Sequence, residues 1–266
     1  MVKEFEGKNE WALILGGSSG LGLASAEKLA KHGMNICIVY RASRSQVKDI
    51  LENFERIKHM HSVQLIHFNS DIAKVESRET VLAGIQSTFQ SNDSIKVLLH
   101  SVAKGNLKPM HDEQGFELKN DDFHLTLENM AISLYDWTKA IFHAQLFSED
   151  TRILSFTSEG NKKAMKSYAA VSAAKASLEA ITRNIAYEFA KFGIRANCIE
   201  AGVTDTPSLR LIPNSEQIIQ FAKMRNPFKR LTRAEEVANV VYLLSKEEAS
   251  WINGTVIQVN GGEHLN

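Results

Sequence analysis

The chain of 266 residues carries 31 Lys+Arg against 31 Asp+Glu, with 44% apolar and 23% charged residues, the balance of a soluble globular protein long enough for a substantial core. A formal net charge of zero, with no block of like charge, excludes the clustered Lys/Arg that general nucleic-acid or acidic-membrane binding requires. No apolar run approaches the roughly 18 residues that cross a bilayer, and the polar, acidic start MVKEFEGKNEW lacks the pattern of a signal peptide, so a cytoplasmic protein is expected.

A first predicted strand, WALIL (Trp11–Leu15), runs into the glycine-rich LGGSSGLG and a helical pattern over Ala24–His32. Gly33 closes that helix, because the residue just past a helix end takes positive φ without a Cβ clash. NICIVY (Asn35–Tyr40) precedes a helix over Val47–His61. VQLIHF (Val63–Phe68), IKVLLHS (Ile95–Ser101), RILSFT (Arg152–Thr157), RANCIEA (Arg195–Ala201) and TVIQV (Thr255–Val259) follow. Most of these runs are apolar at consecutive positions, as strands covered on both faces must be. The alternation predicts right-handed crossovers and an α/β fold, a doubly wound parallel sheet of seven strands flanked by helices. Cys37 and Cys198 lie inside two of the strands and suit buried free thiols. The segment Val203–Arg230 is long and irregular and holds three of the four prolines, yet its Leu209, Leu211, Ile212, Ile218, Ile219 and Phe221 are too apolar for disorder. It reads as a helical flap. No linker divides the chain, so residues 1–266 read as one domain.

Gly16, Gly20 and Gly22 have G-x-x-x-G-x-G spacing, with Ser18, Ser19 and Leu21 between them. A tight turn needs Gly16, and close backbone approach to a pyrophosphate favours Gly20 and Gly22. The helix N-terminus beyond presents N–H groups and a positive dipole end to the anion. Placed on the first strand of a βα series, the loop points to a dinucleotide rather than a plain tight turn. Tyr40-Arg41-Ala42-Ser43-Arg44, after the second strand, offers no acid for a ribose 2′-hydroxyl. Arg41, with Ser43 and Arg44, offers charge-assisted bonds to a 2′-phosphate, which favours NADPH over NADH; the alternative is that both arginines are merely solvated. The nine histidines show no metal-binding spacing, so no metal is expected.

In SYAAVSAAKASLEA, Tyr168 and Lys175 stand seven residues apart. Seven helical steps turn by about 700° and rise about 10.5 Å, so the two side chains are expected to share a helix face two turns apart. The Lys175 ammonium would then lower the phenol's pKa. The chain as a whole resembles the short-chain dehydrogenase/reductase family. LGGSSGLG is similar to that family's TGxxxGxG, with Leu15 in place of Thr, and WINGTVIQVNGG is similar to its last strand and Gly-Gly turn. The resemblance implies a Rossmann sheet with a Tyr–Lys pair, a Ser and an Asn at its C-terminal edge, and implies that Lys175 holds ribose hydroxyls.

The commoner branch of that family has Y-x-x-x-K, whereas Y-x6-K resembles the branch containing the enoyl-acyl-carrier-protein reductases. LLHSVAKG is similar to the HSI(A/G) of those enzymes, which implies Ser101, Val102 and Ala103 at the cofactor. Ala201–Thr206 resembles their AGxxxT, which implies the same for Gly202, Val203 and Thr206. Asp71 and Ile72 match positions flanking the adenine, although Asp71 serves equally as a helix N-cap. Ser158, ten residues before Tyr168, stands where the best-known enoyl reductases have a tyrosine. A Ser there is usual in ketoreductases and in the NADPH-using type III enoyl reductases, which DTPSLRLIPNSEQII also resembles. Ser155 has the ketoreductase gap to Tyr168, but strand alternation puts Ser158 at the strand mouth. Asn129 is the candidate for the family's helix Asn, which holds a proton-relay water. Met110, Met165 and Met224 either line an acyl pocket or fill core gaps.

The activity these likenesses imply is NADPH-dependent reduction of the C2=C3 double bond of an enoyl thioester in fatty acid biosynthesis. Tyr168 would donate to the C1 oxygen where charge develops, and the flap would exclude water. Ser158 keeps a 3-oxoacyl or other ketone reductase open as the alternative, and a third reading is an NADP-binding sensor or structural subunit. The implied partners are an acyl group, as on acyl carrier protein, and further copies of the chain in a homotetramer. The long fifth helix and the C-terminal strand region would make the subunit contacts, with Trp251 and Ile252 in an apolar patch.

Overall fold

Seven strands lie side by side: β1 (Glu10–Leu15), β2 (Asn35–Tyr40), β3 (Leu65–Asn69), β4 (Ser94–His100), β5 (Phe147–Thr157), β6 (Ile194–Ala201) and β7 (Val256–Val259). Every pairing is parallel, in the order β3-β2-β1-β4-β5-β6-β7. A computed structural model describes residues 3–265; Met1, Val2 and Asn266, the ends of the expected 1–266 domain, lie outside it. β1 and β2 bury every residue after the first, as their consecutive apolar runs predict, whereas β3 and β7 at the sheet edges stay partly exposed. The expected strand Val63–Phe68 therefore shifts to Leu65–Asn69. β5 begins at Phe147 rather than Arg152, because the polar FSED segment continues the pairing past a register shift, with Phe147 opposite Ile95.

The helices are α1 (Gly20–Lys31), α2 (Arg44–His61), α3 (Val75–Thr88), α4 (Asn120–Leu127), α5 (Ser133–His143), α6 (Ala169–Glu188), α7 (Pro207–Arg210), α8 (Ser215–Arg225) and α9 (Ala234–Ser245). On one face of the sheet, Leu29 of α1, Phe54 of α2 and Val237 and Val241 of α9 pack on β1, β2 and β4. On the other face, Val81 of α3, Trp137 of α5 and Leu178 of α6 do the same. α1 starts at Gly20, ahead of the expected Ala24, because its first turn, GLGL, has too little apolar period to be seen. α2 starts at Arg44 because Ser43 is extended (φ −72°, ψ 161°) and its N–H donates to Gln46 Oε1 at 3.2 Å. Gly33 follows α1 with φ +89°, and a Cβ there would lie 2.7 Å from the Glu6 nitrogen. Cys37 and Cys198 are buried free thiols.

The flap carries α7 and α8. Thr206 Oγ1 accepts from the Leu209 N–H (3.2 Å), and Pro207 takes the first helical position, where no N–H is needed. A bridge between Thr204 and Thr232 closes the flap's base. Strand order reverses between β1 and β4, and the crevice beyond the C-terminal ends at such a reversal is where doubly wound sheets bind ligands. Among the described residues, no helix is long and apolar enough to cross a membrane.

Candidate active site

Beyond β1, Gly16 turns the chain at φ +88° with its N–H on the Val39 carbonyl (2.8 Å). A Cβ on Gly16 would lie 2.3 Å from Ser101 O, and one on Gly22 would lie 2.2 Å from Gly16 O and 2.9 Å from Ser101 Oγ. Gly20, at φ +54°, has Thr206 Cγ2 3.2 Å from its Cβ position. Three separate parts of the chain, the glycine loop, the end of β4 and the flap, therefore converge. Ser18 is half-buried in the loop, and Val102 packs into the core beside Gly16. Leu21, Ala103, Gly202 and Val203 line the adjoining cavity. Ser19 caps α1 without a side-chain bond, and the first turn of α1 contains no acid. The backbone N–H groups and dipole of that uncapped turn fit a pyrophosphate.

At the end of β2, Arg41 is already engaged. Its Nη1 donates to Asp71 Oδ2 at 2.6 Å, and Lys104 Nζ reaches the same oxygen at 3.5 Å. Lys104 was not singled out by the sequence; its only signal was its place directly after HSVA. Asp71 is not a helix N-cap: Oδ1 accepts from the Ala73 N–H (3.2 Å), while Lys74 is the residue that precedes α3. Burial opposes the charge of Asp71, but the Ala73 amide, Lys104 and Arg41 hold its carboxyl below the usual carboxylate range. Ile72 is buried, and its carbonyl accepts from Trp137 Nε1 (3.0 Å), so its side chain belongs to the core. Ser43 and Arg44 are exposed at the start of α2.

The end of β5 supplies two contacts two residues apart, about 6.6 Å along an extended chain. Lys175 Nζ donates to the Phe156 carbonyl (2.7 Å), and the Tyr168 hydroxyl shares a hydrogen bond with Ser158 Oγ (3.3 Å). Two expectations need correction. α6 carries Lys175 but not Tyr168, which is the N-cap at φ −115° and ψ 0°, behind Ser167 at φ +62°. Nor is the phenol made more acidic. Burial pushes its pKa above the ordinary value, and the Ser158 bond offsets this only in part, the Lys175 ammonium being turned to Phe156. Burial also lowers the Lys175 ammonium to about 8, against the opposing pull of Cys198 and Glu179.

Ser155 is fully buried against Thr182 Oγ1 (3.3 Å) and Cys198 Sγ (3.2 Å), whereas Ser158 lines the cavity. Asn129 sits in a π-helical turn, Glu128–Ile132, between α4 and α5. Its Nδ2 donates to Leu125 O (2.8 Å), and its Oδ1 is buried without a hydrogen-bond partner. Single π turns inside α-helices often mark functional sites. One cavity of about 540 Å³ joins Tyr168, Lys175 and Ser158 to Gly202 and Thr206. Leu107, Met130, Val171, Met165, Ile218 and Phe221 make its other walls apolar. Of the three expected methionines only Met165 lines it; Met110 and Met224 are 71% and 65% exposed, and Met130 takes their place. Apolar periodicity does not distinguish a cavity wall from a core or a surface, since all three use the same residue types.

A family model described as enoyl-(acyl carrier protein) reductase matches residues 16–264. The 3-oxoacyl-[acyl-carrier-protein] reductase FabG of Salmonella typhimurium is 29% identical over 261 residues, covering 98% of this chain and 99% of the relative. A tropinone reductase homolog of Datura stramonium is 26% identical over 260 residues, covering 96% and 92%. Among solved structures, FabI from Candidatus Liberibacter asiaticus superposes with a TM-score of 0.85 at 20% identity, covering 100% of this chain and 98% of that one. A short-chain dehydrogenase from Burkholderia cenocepacia, solved with NADP, gives 0.81 at 23% identity, covering 97% and 98%. At these identities the structural likeness speaks for the fold alone, and the family rests on the sequence matches. The chain belongs to the short-chain dehydrogenase/reductase family of oxidoreductases.

Proposed function

We propose that this oxidoreductase is an NADPH-dependent reductase of the C2=C3 double bond of enoyl thioesters, working on acyl groups carried by acyl carrier protein in fatty acid biosynthesis. The observation that carries the reading is the place of the Tyr168 phenol. It stands seven residues ahead of Lys175, bonded to Ser158 at 3.3 Å, in an apolar cavity covered by the flap and continuous with the glycine loop. The description of the matching family model supports it.

The α1 N-terminus and its glycines would hold the pyrophosphate, Arg41 the 2′-phosphate, and Lys175 the ribose hydroxyls. A reduced nicotinamide bound there would supply the hydride, which C3 takes up as the C2=C3 electron pair moves toward the C1 oxygen. Negative charge then develops on the C1 oxygen of the thioester, and Tyr168 donates a hydrogen bond to that atom, stabilising charge only where it appears. C2 then takes a proton from water as that charge collapses, which completes the saturated thioester. A phenol whose pKa is raised stays protonated at neutral pH and remains a donor. Lys175 sets the local positive charge, and the buried Asn129 Oδ1 suits a water leading protons toward it. α7 and α8 exclude water from the acyl chain. A cytoplasmic homotetramer goes with this reading; Trp251, 96% exposed beside Ile252, offers the apolar patch such an assembly needs.

Reduced-nicotinamide absorbance, read with paired trans-2-enoyl and 3-oxo thioesters, should fall with the enoyl member; turnover of the 3-oxo member alone overturns the reading. That outcome would favour a 3-oxoacyl reductase, which the Ser158–Tyr168 hydrogen bond supports as a second reading, since two hydroxyls could receive one ketone oxygen. Arg41→Ala should raise KM for NADPH about tenfold and leave NADH within about twofold, the loss of one charge-assisted bond. Equal effects on both nucleotides would remove Arg41 from 2′-phosphate recognition. With Lys175 titrating at about 8, kcat/KM should fall above that pH as the ammonium is lost, and Lys175→Arg should remove this alkaline limb. The lowered pKa also has a stability consequence: the folded chain binds this proton more weakly than the unfolded one, so the Lys175 contribution rises between about pH 8 and 10.5.

A further inference from the structure

The start of the flap and the end of α8 meet one buried carboxylate. Glu263, 2% exposed near the end of the chain, accepts from the Val203 N–H (3.3 Å) through Oε2 and from Arg225 Nη2 (2.7 Å) through Oε1. Val203 opens the flap after β6, and Arg225 ends α8. The same guanidinium, 9% exposed, also grips Glu159: Nη1 donates to Oε2 at 3.1 Å, and Nη2 donates to Oε1. Glu159 directly follows Ser158, in the one-turn helix Glu159–Asn161. Gly160 of that turn packs on the Tyr168 ring, where a Cβ would lie 2.5 Å from Cε1. Lys163 Nζ reaches Glu159 as well (2.9 Å), so two cations balance two carboxylates and the cluster offers a substrate no unpaired charge. The planar guanidinium fork fixes both carboxylates at once, which a lysine point charge does not. Ile218, Phe221 and Ala222 of α8 line the cavity beside Arg225, whose guanidinium lies 5.0 Å from the Phe221 ring centre.

We propose that Arg225 is a positioning residue that latches α8 over the cavity by tying the end of that helix to Glu263, which also holds the start of the flap at Val203, and to Glu159 in the turn after Ser158. The latch thereby sets the affinity for the acyl chain and not for the dinucleotide; this half rests on the acyl reading above. Two variants test it. Arg225→Lys keeps the charge without the fork, and Glu159→Gln keeps the shape without the charge. In either, amide hydrogen exchange across residues 215–225 should quicken by about tenfold while α6 keeps its wild-type protection. The Kd for octanoyl coenzyme A in the presence of NADP⁺ should rise by about tenfold, and the Kd for NADPH should stay within about twofold.

Octanoyl coenzyme A is saturated and binds without reacting, so this arm is independent of whether enoyl thioesters are reduced. Unchanged exchange in α8, faster exchange with unchanged octanoyl affinity, or an equal loss of NADPH affinity overturns the latch. If Arg225→Lys fails to fold, Glu159→Gln decides. A wild-type protein that binds neither octanoyl coenzyme A nor octanoyl-acyl carrier protein sinks the acyl reading, and the exchange arm alone then decides whether Arg225 holds α8.

Discussion

Tyr168→Phe is expected to lower kcat/KM for the thioester by about 10³-fold, the upper end of the range for losing one hydrogen-bond donor to a developing oxyanion. That corresponds to about 4 kcal/mol of transition-state stabilisation. The variant removes one atom from a ring that keeps its packing against Gly160, so the cavity wall survives and the loss reports the hydroxyl. Ser158 Oγ, left without the phenol, is half-buried and can turn to water, which keeps the structural penalty small. NADPH affinity should stay within about twofold, because Lys175 is held separately on the Phe156 carbonyl. A Phe variant that keeps wild-type activity on both 2-enoyl and 3-oxo thioesters would remove Tyr168 from the chemistry altogether.

Gly16→Ala should damage the other half of the site. At φ +88° an alanine is strained, and its Cβ would lie 2.3 Å from the Ser101 carbonyl oxygen. The Ser101 carbonyl carbon would lie 2.9 Å away as well, and both atoms are backbone, so relief requires moving the glycine loop away from the end of β4 rather than turning a side chain. A loss of about 3 kcal/mol is expected, equivalent to a fall in Tm of roughly 6–12 °C for a chain of this size. NADPH binding, followed by its fluorescence, should weaken by more than about 100-fold, because under the proposed function the displaced loop presents α1 to the pyrophosphate. Wild-type melting and wild-type affinity together would mean that the loop does not need glycine there.

The elements read from the chain came through where their signal was local. The apolar runs of β1, β2, β4 and β6, Gly33 past α1 and the glycine loop each depend on residues within a few positions of one another. Strand alternation also ordered Ser158 and Ser155 correctly relative to the cavity, because one strand mouth decides both. The end of β3 and the early start of β5 lie outside that local signal, because Asn69 is placed opposite Tyr40 and Phe147 opposite Ile95 by the neighbouring strands.

The site is a different matter. The spacing of Tyr168 and Lys175 was visible, but not that Ser167, at φ +62°, starts the helix only after the tyrosine. The acid missing from the end of β2 was visible, but not that Asp71 at the end of β3 and Lys104 beyond β4 come together around Arg41. Arg225 carried no sequence signal at all: its partners Glu159 and Glu263 lie 66 and 38 residues away.

The amino-acid order alone determined the alternation of strands and helices, the glycine-rich turn after β1 and the family, because hydrophobic period and glycine tolerance act between neighbours along the chain. Only the tertiary structure decided which charges pair, which methionine faces the cavity and how far the phenol's proton is held. Those depend on burial and on contacts between residues far apart in sequence, and electrostatic strength follows the local dielectric that the fold creates rather than the residue type.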